Sequence, residues 1–145
     1  MNDLIWFGYT SHVRALKDVT EECLKRTVKP IRDAAEGLEV ISKEDPALIL
    51  FNAPTPVGGL TLPENVYLRD WVSTDCHVIE RIREIKPKTP VIVTHVSVFP
   101  GYSLGNALAK YRKAGATDLV DSGAKFEEFA DFLRKYLPVP NTSQR

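Results

Sequence analysis

Neither sign of charge predominates in this chain: Lys and Arg together number 19, as do Asp and Glu. Without net charge, nothing draws the chain as a whole to nucleic acid or to an anionic membrane, and neither partner is expected. Long apolar runs are also missing. None approaches the roughly 20 residues that an α-helix needs to span a bilayer. The opening segment, Met1 to Thr10, has no basic stretch before its short apolar one and no small-residue cleavage site, so no signal peptide is expected. Cysteine is scarce, with Cys23 and Cys76 alone, and each falls inside an expected helix. Two unpaired thiols in a reduced, cytoplasmic setting are the expectation, with no disulfide, no metal site and no cofactor.

What the chain does have is a core-forming composition: 43% of its 145 residues are hydrophobic. That suffices for one domain, expected over 1–138, followed by a polar flexible tail, 139–145. Five short apolar runs alternate with helical patterns, which predicts an α/β fold with a parallel sheet covered on both faces. The first strand is Leu4 to Phe7, stopped by Gly8. Thr10 or Ser11 is placed to cap the helix that follows. A second strand fits Val28 to Asp33, and Pro30 puts it at an edge. Gly37 reads as a breaker before a short helix, Leu38 to about Glu44. The third strand is Ala47 to Asn52. Ser73 or Thr74 is placed to cap a third helix carrying Val78, Ile79, Ile82 and Ile85. Val91 to Val96 forms the fourth strand, and a helix from about Ser103 stops at Gly115 after Ala114. Asp118 to Asp121 is the fifth strand, and the last helix runs from Lys125 to Leu137.

The stretch Asp45 to Gly59, DPALILFNAPTPVGG, resembles the central strand and loop of a two-component receiver domain of the CheY-like superfamily. There an Asp ends the strand and a proline follows four positions later, as Pro56 follows Asn52. The resemblance extends to the segments Ala34–Ile41, Ile82–Val93, Ala114–Val120 and Phe126–Phe129, in the same order and spacing. It implies a flavodoxin-like, doubly wound sheet of five parallel strands in the order 2-1-3-4-5, with helices on both faces.

The same resemblance supplies a site beyond the carboxyl ends of the strands. Receivers place there an acidic pair after strand one, an acceptor Asp after strand three, a hydroxyl after strand four and a lysine after strand five. In this chain the acidic pair aligns with Gly8 and Tyr9, and the acceptor with Asn52. The hydroxyl position aligns with His95, with Thr94 one step away and expected to face the opposite side of its strand. The lysine aligns with Ser122, and the aromatic of strand five with Leu119. An amide cannot form an acyl phosphate, and magnesium needs the missing carboxylates. No catalytic residue is therefore expected.

The segment 54–73 is roughly a dozen residues longer than receivers use, beyond the ordinary loop length of a compact domain. It carries Tyr67 and Trp71, which either fold back as a lid or anchor a partner or ligand. Gly101-Tyr102-Ser103-Leu104-Gly105 matches a hydrolase nucleophile elbow, but His12, His77 and His95 all precede Ser103, so the match is read as chance. Gly58-Gly59 reads as a turn. These features point to a phosphorylation-independent pseudo-receiver, a signalling or regulatory protein-interaction module and not an enzyme. The resemblance implies a protein partner, or a homodimer, through helix four, strand five and helix five. The alternative is a small-molecule-binding or enzymatic domain using Tyr9, Thr10, Asn52, His95 and the inserted loop.

Overall fold

The computed structural model describes residues 4–8, 11–64, 71–94, 104–120 and 126–137. Ten elements alternate along them: β1 (Leu4–Phe7), α1 (Ser11–Leu24), β2 (Val28–Ile31), α2 (Ala34–Ile41), β3 (Leu48–Asn52), α3 (Trp71–Ile85), β4 (Val91–Thr94), α4 (Leu104–Ala114), β5 (Asp118–Val120) and α5 (Phe126–Arg134). All strand pairs are parallel, and the five-stranded sheet has the order β2-β1-β3-β4-β5. The expected topology is observed. β2, with Pro30, lies at one edge as expected.

Alternation along each strand splits the core in two. Leu4, Trp6, Leu48, Leu50 and Ile92 face one way, where Phe129 and Leu133 of α5 and Leu24 of α1 meet them. Ile5, Phe7, Ile49, Phe51, Val91 and Val93 face the other way, under α2, α3 and α4. Because both faces are covered, the central strands are apolar up to their last residues, Asn52 of β3 and Thr94 of β4.

Several boundaries differ from the sequence expectation; α2 stops at Ile41, short of Glu44, and α5 at Arg134, short of Leu137. Asp33 does not end β2; it caps α2, accepting the Glu36 N–H at 2.9 Å while Glu36 reaches back to the Arg32 N–H at 3.2 Å. Those two bonds start α2 four residues before Leu38, at Ala34. Gly37 is therefore no breaker but an interior helical residue. A Cβ there would lie 2.1 Å from Cε2 of Phe7, so glycine allows α2 to press against β1. Likewise α3 begins at Trp71, so Ser73 and Thr74 stand within its first turn and are not its caps. The α4 stop is as expected: the helix ends at Ala114, before Gly115 at φ 128°.

Candidate functional site

The carboxyl ends of β1, β3 and β4 converge on Asn52, which is 6% exposed. Its amide nitrogen donates to the Gly8 carbonyl at 3.3 Å, and its side-chain oxygen accepts the Thr94 hydroxyl at 3.2 Å. Its main-chain carbonyl accepts the Thr55 hydroxyl in a close contact. One side chain thus ties three neighbouring strand ends together, using both its donor and its acceptor.

Gly8 turns the chain away from β1 with φ 79°, a conformation in the glycine-favouring region. A Cβ at this position would sit 2.9 Å from Cβ of Asn52 and 2.9 Å from Oγ1 of Thr55. The backbone therefore fills the place where a side chain would have to begin. An acidic residue cannot be accommodated at position 8 without moving β1 or the loop after β3.

Thr94 was expected to face away from the site. Instead it pairs in register with Asn52 and turns its buried hydroxyl towards it. The hydroxyl that meets the Asn52 side chain is that of Thr94. Tyr9, Thr10, Tyr67, His95 and Ser122 lie outside the described residues. Leu119 is half-buried against the core under α3 and α4. Trp71 belongs to the first turn of α3, half-buried against the same core.

The loop after β3 is tied down at several points. The Thr55 N–H donates to Asp75 Oδ1 at 3.0 Å, and the Tyr111 hydroxyl donates to Asp75 Oδ2 at 2.7 Å. The carbonyls of Pro56 and Val57 accept the N–H groups of Ala34 and Ala35, at 2.8 and 3.2 Å, and so satisfy the first turn of α2. Gly58 and Gly59 form the expected turn. At Gly58, with φ 66°, a Cβ would press on the Asp33 carboxylate at 2.5 Å.

Thr55, Asp75 and Tyr111 were not singled out from the sequence. Asp75 left a signal, because it falls three residues after buried Val72 and three before buried Val78, on the core side of α3. A carboxylate on an apolar helix face needs donors, and that requirement pointed to a buried network.

Magnesium, which the receiver resemblance implies, does not fit this donor set. The Gly8 carbonyl and the Asn52 side-chain oxygen already accept protein donors. Asp75, the only buried carboxylate among the described residues, accepts from Thr55 and Tyr111. A hard cation would find neutral oxygens already engaged where it requires anionic ones. Among the described residues, no group of three or more His, Cys, Asp and Glu is placed to hold a metal ion.

No model of a known protein family matches the chain, and no curated protein matches it. Solved structures do. Its architecture is similar to that of the receiver domain of a sensor histidine kinase from Pseudomonas aeruginosa, determined with magnesium coordinated in its active-site cleft. That match has 14% identity and a TM-score of 0.67, and covers 93% of this chain and 96% of that one. A CheY-like receiver domain protein from Methanospirillum hungatei matches with 16% identity and a TM-score of 0.69, over 93% and 92% of the two chains. A chemotaxis response regulator of Vibrio cholerae matches with 15% identity and a TM-score of 0.69, over 94% and 99%. The class defined by sheet order and helix placement is the flavodoxin-like α/β sandwich. Within it, the fold is that of CheY-like response-regulator receiver domains.

Proposed function

We propose that this chain is a pseudo-receiver: a signalling or regulatory module that acts by contacting another protein and is not switched by phosphorylation. The observation that carries the reading is the Gly8–Asn52 pair. Where a receiver needs a carboxylate beside a nucleophilic Asp, this chain has a left-handed glycine packed against an amide whose hydrogen is given to that glycine's carbonyl. An amide is no nucleophile for phosphorus, and no anionic oxygen stands beside it to hold the metal.

The module is a single domain over 1–138, works in the cytoplasm, has no catalytic activity and meets its partner, or a second copy, through α4, β5 and α5. Two observations are compatible with this reading. The described part of the crevice is occupied by its own hydrogen bonds. No helix among the described residues is long and apolar enough to cross a membrane.

The test is exposure to acetyl phosphate, and separately to beryllofluoride, each with magnesium, read by intact mass and amide NMR shifts. No added phosphoryl mass and no magnesium-dependent shift at Gly8 or Asn52 is the expected result. Saturable shifts centred on those residues would overturn the reading.

A further inference from the structure

We propose that Asp75 is a conformational latch that joins the loop after β3 to α4, so that the two open and close as one unit. Asp75 is wholly buried. Its two oxygens face different elements: Oδ1 takes the main-chain N–H of Thr55 at 3.0 Å, and Oδ2 takes the hydroxyl of Tyr111, itself fully buried in α4, at 2.7 Å.

A carboxylate away from water is held by its donors, and bonds to a charged acceptor are the strong ones. If α4 draws away from α3, Oδ2 loses the Tyr111 hydroxyl where solvent cannot replace it. The carboxylate is then driven to follow, and its movement pulls Oδ1 from Thr55. The reverse also holds, because lifting Thr55 takes a donor from a buried carboxyl group that Tyr111 of α4 still holds.

The connection continues on the loop side. The Thr55 hydroxyl donates to the main chain of Asn52, and the next two residues, Pro56 and Val57, accept from the start of α2. Displacement of α4 is thereby felt at the end of β3 and at the α2 N-terminus. Asp75 is a positioning residue in this arrangement. It touches no reacting group, and the inference stands apart from whether the chain is a pseudo-receiver.

Native-state hydrogen exchange on the whole chain tests it. In the unmodified protein the Thr55 amide and the Tyr111 amide should share one opening free energy and one denaturant dependence. A Thr55 amide that exchanges by a separate, shallower opening would overturn the latch. In Tyr111→Phe, which keeps the ring and removes the hydroxyl, protection of the Thr55 amide should fall about tenfold or more, as for loss of a bond to a charged group. In Lys113→Ala, on the exposed side of α4, it should stay as it was. Loosening in Tyr111→Phe confined to α4, with Thr55 unchanged, would refute the proposal. Should that variant fail to fold, the comparison of the two amides in the unmodified protein still decides.

Discussion

The carboxamide of Asn52 donates its hydrogen to the carbonyl of Gly8, 44 residues away, and accepts the Thr94 hydroxyl on its oxygen. The two functions of an amide are both used, and a carboxylate can perform only the second.

Asn52→Asp is therefore expected to lower stability at neutral pH by about 1–3 kcal/mol, the cost of leaving a buried partner unsatisfied. Only the protonated acid can donate to Gly8, so the new carboxyl should titrate above the ordinary value of about 4. For a raised folded-state pKa, stability is fully present below the unfolded pKa and is lost as pH rises through the folded one. The deficit against the parent chain should be small in acid and grow towards neutrality. Urea midpoints for both proteins across that range check it. A pH-independent deficit would contradict the argument.

Rebuilding the acidic position should fail for a different reason. Gly8→Ala places a Cβ against Asn52 and Thr55 at a φ that L-residues disfavour. A loss of about 2–4 kcal/mol is expected from backbone and overpacking costs together. Gly8→Asp should be at least as costly, and the Gly8→Asp, Asn52→Asp double variant should still show no phosphorylation by acetyl phosphate. A folded double variant that gains phosphoryl mass would show that the loop yields more readily than its packing implies.

Arg83, near the end of α3, fastens together the segments that lead into β4 and β5. Its Nε donates to the Gly115 carbonyl at 2.7 Å, its Nη1 to the carbonyls of Lys86 at 3.0 Å and Thr89 at 2.5 Å, and its Nη2 to the Thr117 hydroxyl at 2.9 Å. Burial lowers its pKa from the ordinary value. A lysine has no planar fork and cannot serve all four acceptors. Arg83→Lys should cost about 1–3 kcal/mol, whereas Arg81→Lys, on an exposed pair with Glu84, should stay within about 0.5 kcal/mol. Thermal melts of the two variants side by side separate these outcomes.

Asp118 and Tyr136 should give the chain a pH response at both ends of the scale. Partial burial works to raise the Asp118 pKa, but the bonds from the Tyr136 hydroxyl and the Leu119 N–H, with Arg112 nearby, outweigh it and hold the acid below its ordinary value. For a depressed acid, stability is present above the unfolded pKa and is lost as pH falls through the folded one. Tyr136 moves the other way, raised chiefly by its hydrogen bond to Asp118 and also by burial. Its contribution is full below the tyrosine value of about 10 and is lost as pH rises through the higher folded value. Tyr136→Phe should flatten the alkaline limb of the stability profile and soften the acid limb. Unchanged limbs on both sides would count against the pair.

Trp71→Ala distinguishes the two roles open to this aromatic. Because the ring rests half-buried against the core under α3, a melting temperature lowered by a loss of about 2–3 kcal/mol is expected, somewhat below the figure for a fully buried aromatic. An unmoved melt together with lost partner binding would mark it as an anchor instead.

The strands were legible because parallel strands covered on both faces must be apolar along nearly their whole length, as Leu48–Phe51 are, whereas their order was implied by the resemblance to receivers. The α2 start was legible as well, since Asp33 and Glu36 have capping-box spacing, but a strand reading of Val28 to Asp33 concealed it. Gly37 could not be read locally, because its reason is the ring of Phe7 on a different element. The orientation of Thr94 depends on the β3–β4 register, which alternation along one strand does not supply. Asp75 shows how the site could have been extended further: a charge at a core position announces that partners exist without naming them.

One margin of the sheet is a poor template for another strand. β2 carries Pro30, which has no N–H to offer a newcomer. Growth by continued strand addition, the route towards fibrils and swapped sheets, is therefore obstructed at that edge.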